Sequence, residues 1–396
     1  MDNLIPVSYK LLKGMNESLI LNVIRERGPI SRSDIAKLTN LTPPTVTNIT
    51  NRLLESELIF EYMMGESSGG RPPVLLKINP EAFNIIVVHI SSNKINAYLT
   101  DVEINVKDKL SEGIPVSGDR DWVIDRAKEF ISKLMDESDR EIEGIGVIVH
   151  GPAKSREGIS LFAPNLGWRN VPIKSIIEEK YDIPVFVEND VRAMALGEYW
   201  YGSGKDVNNM VFLKVGYGLG SAIVLDGSLY RGINDSAGEV GHTTIDISGP
   251  RCSCGNYGCF EALASEHALT QRFIKAIKEG QYSHLADEAR NIDEIAPSDI
   301  YTAAREGDGL ALSIMDQEAR YLGIGIANIF NIFNPELVVI GGGITEARDL
   351  IEEKMIETVE ERSLESCYGS GNIVFSKLGD EATLKGAANM VLKEVI

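Results

Sequence analysis

Three cysteines crowded into eight residues constrain this chain more tightly than any other feature. They stand in the run Cys252-Ser253-Cys254-Gly255-Asn256-Tyr257-Gly258-Cys259, with His242 ten residues upstream. The fourth cysteine, Cys367, lies far away, so the set is a poor disulfide framework and reads as a metal site. Three thiolates and one imidazole suit a tetrahedral zinc ion, and the two glycines let a short loop wrap around it. The ligand set His242, Cys252, Cys254 and Cys259 leaves no position open for water, so the predicted zinc is structural. Whatever the fold, it has to bring residue 242 and residues 252–259 to one point.

From Phe83 onward, apolar strand patterns alternate with helical ones, which argues for an α/β class. Strands are predicted at Ile85 to Ile90, Ile95 to Thr100, Gly144 to Val149, Pro184 to Val187, Met210 to Val215, Ser221 to Leu225 and Leu337 to Ile340. Long helices are predicted at Trp122 to Leu134 and Ala311 to Phe330. Ser283 to Ser298 is polar and reads as loop or short helix. No internal repeat is visible in the sequence.

Residues 1–80 read differently, as a winged helix-turn-helix. Leu19, Ile20, Val23 and Ile24 recur at helical spacing, and Gly28-Pro29 stops that helix. Ser31 caps a second helix, in which Ile35 and Leu38 turn inward. Asn40-Leu41 makes the turn. Thr42 caps a third helix with Pro43 at its first position, where a missing N–H costs nothing. Val46, Ile49 and Leu53 form its apolar stripe. Its other face carries Thr45, Thr47, Asn48, Asn51 and Arg52, short hydrogen-bonding groups plus one cation that suit base edges and phosphates. With Thr42, these are the predicted contacts to double-stranded DNA. A hairpin wing follows, returning at Val74 to Ile78. Its tip contains Gly69-Gly70-Arg71-Pro72, where Arg71 suits a narrow minor groove.

The charge distribution agrees. The 396 residues hold 39 Lys+Arg against 58 Asp+Glu, but residues 1–79 hold nine against eight. The acidic body repels phosphates, so only the front segment can dock on DNA. No apolar run approaches membrane-span length and Met1 to Lys13 lacks a signal-peptide core, so a cytoplasmic protein without membrane contact is expected.

Polar groups gather at strand ends of the body. The strand ending at Val187 delivers Glu188-Asn189-Asp190 into the next helix. An Asp there can accept a hydrogen bond or a proton from a sugar hydroxyl. Glu239 and His242 share one short stretch, and Glu261 directly follows the cysteine run. Glycine loops Gly216-Tyr217-Gly218-Leu219-Gly220 and Gly341-Gly342-Gly343 could each cradle phosphate through backbone N–H groups.

Together these features resemble the repressor, open reading frame, kinase (ROK) family across nearly the whole chain. Gly238-Glu239-Val240-Gly241-His242 is similar to the family's E-x-G-H element. The cysteine run with Phe260-Glu261 is similar to its C-x-C-G-x-x-G-C-x-E element. The winged helix resembles that of the family's repressor branch, which controls sugar operons. The resemblance implies an actin-like, hexokinase-like body of two lobes around a cleft. The smaller α/β lobe would be 81–190 plus 380–396. The larger, 191–379, would carry the zinc knuckle and an oligomerisation surface. It also implies sugar contacts by Asn165, Asn189, Asp190, Glu239, His242 and Glu261, with His242 both holding zinc and touching the sugar. In family kinases the position of Asp190 is the general base.

One departure bears on function. Family kinases carry Asp-x-Gly-Gly-Thr at the first strand turn, where it grips nucleotide phosphates. Here the matching stretch is His89-Ile90-Ser91-Ser92-Asn93, without the acid or either glycine, and Tyr217 stands where kinases place Thr in the second loop. Phosphoryl transfer depends on such loops for positioning and charge stabilisation. The expected function is therefore a non-enzymatic repressor of a sugar uptake or catabolism operon, released from its operator by a free monosaccharide. Asp190 would be a vestigial base. Xylose, glucose and N-acetylglucosamine all suit such a pocket. The alternative is an ATP-dependent sugar kinase fused to a DNA-binding domain. Reading paired half-sites implies a homodimer, or a tetramer of two dimers.

Overall fold

A computed structural model describes residues 9–64, 72–116, 118–163, 166–369 and 371–396. Its chain divides into two compact units, residues 1–151, 156–187 and 388–396 in the first and 152–155 with 188–387 in the second.

The first unit begins with three helices, α1 (Tyr9–Arg27), α2 (Arg32–Thr39) and α3 (Pro43–Glu55). The caps follow the sequence: the Ser31 side chain accepts from the Asp34 N–H, and that of Thr42 from the Thr45 N–H. Asn40 adopts φ 55°, the left-handed turn residue between α2 and α3. Ile20, Leu21, Ile24, Ile35, Val46, Ile49 and Leu53 are buried. Leu19 and Leu38, expected inward, are 44% and 58% exposed. The buried stripe of α1 runs through residues 20, 21 and 24, which turns Leu19 outward. The eight-residue α2 buries only Ile35, because the chain reverses at Asn40 before anything covers its last turn. Strand β1 (Ile30–Ser31) pairs with β3 (Val74–Ile78), which pairs antiparallel with β2 (Ile59–Met64) to form the wing. Residues 65–71, the wing tip, lie outside the described residues, and Arg71 with them.

The remainder of the first unit is built on a five-stranded sheet. Strands β4 (Asn84–Ile90), β5 (Lys94–Thr100) and β6 (Val106–Gly113) form an antiparallel meander. Helix α4 (Arg120–Asp136) follows, with Asp119 as its cap, and β7 (Ile142–Val149) then pairs parallel to β4. The strand Val185–Asn189 lies beyond β7, giving the order 185–189, β7, β4, β5, β6. Strand β6 was not legible in the sequence. It is an edge strand whose run Val106-Lys107-Asp108-Lys109-Leu110 puts charge on both faces, a pattern that protects a sheet edge rather than filling a core.

The second unit repeats this plan. Met210–Val215, Leu219–Leu225 and Ser228–Leu229 form a meander, and Leu337–Gly341 then Asn372–Phe375 add parallel strands on the other side of the first. Each sheet thus has its first-in-sequence strand at the centre. The duplication is one of topology, which explains why no sequence repeat betrays it. Helix Gly309–Phe333 runs through the core of this unit, with thirteen of its residues buried, including Ala319, Leu322, Ile326 and Phe330. Near its middle a Cβ on Gly325 would lie 2.1 Å from the Phe260 ring. The absent side chain is what seats Phe260, and with it the end of the cysteine run, against the core. Among the described residues, no helix is long and apolar enough to cross a membrane.

The C-terminal helix Glu381–Val395 starts in the second unit and finishes in the first. In the first unit the buried Arg25 guanidinium of α1 donates to the side-chain oxygen of buried Asn389 on this helix, at 2.7 Å.

Candidate functional site

The cysteine run closes on itself as its glycines suggest. Cys252 N–H donates to the Asn256 carbonyl (2.7 Å), Gly258 N–H to that of Pro250 (2.8 Å), and Phe260 N–H to that of Thr243 (2.8 Å). Gly258 has φ 64°, and a Cβ there would fall 1.6 Å from the Asp246 carbonyl oxygen, so no other residue fits. These bonds zip 243–246 against 257–260 and bring His242, at the end of the 3-10 turn Val240–His242, to the thiols. The four ligand atoms lie within 4.8 Å of one another. Cys254 and Cys259 Sγ are 3.7 Å apart, as are Cys252 Sγ and His242 Nδ1. A tetrahedral site with bonds of about 2.3 Å has edges of about 3.8 Å. The donor set and its spacing therefore fit a metal ion, and Nδ1 is the ring nitrogen that faces the Cys252 thiol.

The other polar residues meet around the first residues of the strand Leu219–Leu225. Asn189 caps the helix Asp190–Tyr201, its side-chain oxygen accepting from the N–H groups of Val191 (2.9 Å) and Arg192 (3.1 Å). Its amide nitrogen donates to Asp190 Oδ1 (3.0 Å), which also accepts from the Val191 N–H (3.0 Å). Glu261 Oε2 accepts from the Leu219 N–H (3.1 Å), and Ser253 Oγ donates to Glu261 Oε1 (3.4 Å). Ser221 Oγ donates to the Gly238 carbonyl (2.6 Å), which anchors the segment leading to Glu239 and His242. Glu239 itself is exposed at the start of the 3-10 turn. Asn165 lies outside the described residues.

Three residues absent from the sequence-based site complete this arrangement. Lys214 Nζ donates to Asp190 Oδ2 at 2.8 Å, with the carboxylate buried and the lysine about one-third exposed. The ion pair with Asp190 holds the lysine above its ordinary range despite desolvation. Glu188, fully buried, accepts from Ser155 Oγ (2.7 Å) and lies 2.6 Å from an Arg231 nitrogen and 3.4 Å from one of Arg192. Arg231 precedes the Gly238–His242 segment, so the Glu188–Arg231 pair ties that segment to the strand end bearing Asn189 and Asp190. Lys214 had a sequence signal: it is the single charge in the apolar run Met210 to Val215.

The stretch His89–Asn93 ends β4 and turns into β5. Ser91 Oγ donates to the Lys94 carbonyl (3.0 Å) and accepts from the Lys94 N–H (3.2 Å). Its hydroxyl serves the turn.

In the head, Thr47, Asn48 and Asn51 are exposed along α3. Thr45 is half-buried and shares a 2.8 Å hydroxyl contact with Thr42. Arg52 pairs with Glu17 of α1 at 2.8 Å, each side chain about one-third exposed. A second cation lies beside this helix: Arg32 Nε donates to Thr50 Oγ1 (3.0 Å), and another of its nitrogens lies 3.5 Å from Asn51 Oδ1.

Comparison with known proteins accords with both halves. The ROK family model matches residues 85–394, and the MarR family model matches residues 15–60. A xylose repressor of Caldicellulosiruptor bescii is 37% identical over 392 residues, 98% of each chain. A crystal structure of a ROK family transcriptional regulator, a homologue of the Escherichia coli MLC protein, superposes with a TM-score of 0.86 at 34% identity, covering 97% of this chain and 96% of that one. A ROK family glucokinase from Streptomyces griseus, solved with glucose and AMPPNP, gives 0.67 at 28% identity over 78% of this chain and 99% of its own. An actin-like and hexokinase-like body preceded by a winged helix is thus the architecture of this protein, and the chain belongs to the ROK family.

Proposed function

We propose that this protein is a sugar-responsive transcriptional repressor of a sugar uptake or catabolism operon, whose operator affinity falls when a free monosaccharide binds the body. The observation that carries the reading is the union, in one chain, of a winged helix with an exposed polar recognition face and a cluster of carboxylate, amide and imidazole groups suited to sugar hydroxyls. Asn189, Asp190, Glu239, His242 and Glu261 are the proposed sugar contacts, with Asn165. A carboxylate accepts from one hydroxyl while a neighbouring donor meets the oxygen of the next, which makes Lys214 a further candidate contact. Zn2+ held by His242 Nδ1, Cys252, Cys254 and Cys259 would fix the loop from which His242 Nε2 and Glu261 are presented. Thr42, Thr45, Thr47, Asn48 and Asn51 are the proposed DNA face, together with Arg71. Arg52, paired with Glu17 and about one-third exposed, is proposed for the same face. The functional form would be a homodimer, or two dimers together.

Phosphoryl transfer has little support. The stretch His89–Asn93 carries neither the acid nor the glycines with which family kinases grip nucleotide phosphates. Calorimetric titration with xylose, glucose and N-acetylglucosamine tests the sugar half. One of the three should bind, and Asp190→Asn should weaken it at least tenfold. Binding by none, or equal affinity in the variant, would remove the sugar site.

A further inference from the structure

The two glycine loops meet at a carboxylate. The parallel neighbours Met210–Val215 and Leu337–Gly341 run in register, Lys214 opposite Gly341, so Gly216–Gly220 and Gly342–Gly343 emerge side by side at their carboxyl ends. Loops so placed in an α/β sheet form the usual cradle for a phosphate group. Here Glu266 stands there. A Cβ on Gly343 would lie 2.3 Å from Glu266 Oε1 and 2.6 Å from Oε2, and one on Gly216 would lie 3.7 Å from Oε2. The carboxylate therefore rests against the Cα of Gly343, in space that any side chain there would fill.

Glu266 is also held. Tyr301 Oη donates to Oε1 at 2.9 Å. The Glu266 N–H donates to the Gly216 carbonyl at 2.8 Å. The Tyr217 ring packs on His267 with centroids 4.8 Å apart, which fastens the first loop to the helix Glu266–Lys278. Burial, with Glu346 nearby, raises the carboxyl above its ordinary range against the opposing Tyr301 hydrogen bond. Glu318 is close enough to feel Glu266, and its own burial raises it to about 7 despite Arg272. A phosphate brought to Gly343 meets the Glu266 carboxylate, with Glu346 nearby, as like charge at low dielectric.

We propose that Glu266 is an intramolecular occupant of a phosphate pocket and the specificity residue that makes this body refuse nucleotides. The inference rests on the reading of the body as a sensor. It adds that refusal is built in at Glu266 as well as by the missing acid and glycines at His89–Asn93.

The test is calorimetric titration of the full chain with Mg-ADP and, separately, with inorganic pyrophosphate. Glu266→Ala should bind at least one of these probes tenfold or more tightly than the unsubstituted protein. Glu266→Gln keeps the shape and the Tyr301 contact while removing the charge, and should gain part of that affinity; it decides the matter if the alanine variant does not fold. Affinities within threefold of the unsubstituted protein in the folded variants would overturn the proposal. So would tight binding of Mg-ADP by the unsubstituted protein. Unchanged affinities in the variants would leave the sensor reading standing, because that reading is judged by the sugar titration.

Discussion

At the scale of single residues, the site is a set of carboxylates whose partners define what each can do. Asp190 is the sharpest case. Its position after the strand ending in Glu188-Asn189 was legible, because an apolar run that stops at three polar residues marks a strand end. Its partner was not, because Lys214 is close only after two distant strands are assembled. Truncating one partner of a buried ion pair leaves the other uncompensated, at a cost of about 3–5 kcal/mol when both are buried. Lys214 is partly exposed, so solvent screening lowers this to about 1–3 kcal/mol. Lys214→Met should therefore lower thermal stability by that order and weaken sugar binding at least tenfold. Sugar affinity unchanged in a destabilised protein would assign Lys214 to the fold alone.

At the scale of elements, the cysteine run was the most readable part of the chain, since ligand type and spacing are local properties. The helix caps at Ser31 and Thr42, the central strands and the long buried helix were readable for the same reason. What escaped was set by tertiary context: the charged edge strand β6, the exposure of Leu38, and the pairing of Arg52 with Glu17. Each depends on which neighbour covers a face, and a pattern within one element does not say. The run also makes a prediction of its own. Cys254→Ala removes one of the four proposed ligands; the variant should hold less zinc than the unsubstituted protein by elemental analysis and bind sugar more weakly through His242 and Glu261. Sugar affinity at the unsubstituted level in the zinc-free variant would separate metal from effector.

At the scale of the whole molecule, a repressor of this kind needs a physical route from effector to head. An effector shifts an equilibrium only by its differential affinity for two states. The helix Glu381–Val395 is a concrete candidate, since it begins in the unit bearing Asp190 and ends beside α1, where Asn389 accepts from Arg25. Asn389→Ala removes that acceptor from a buried guanidinium, at a cost of about 1–3 kcal/mol. The variant should keep sugar-free operator affinity within about threefold and lose most of the sugar response, read by anisotropy of labelled operator. A full response in the variant would place the coupling elsewhere.

The central claim joins the two ends of the chain, and operator affinity measured during a sugar titration tests it most directly. At fixed salt, which otherwise dominates DNA affinity, xylose, glucose or N-acetylglucosamine should raise the operator Kd at least tenfold, a coupling of about 1.4 kcal/mol. Asp190→Asn should abolish the shift while leaving sugar-free binding intact. An operator Kd that no sugar moves, in a protein that binds the operator, would contradict the account.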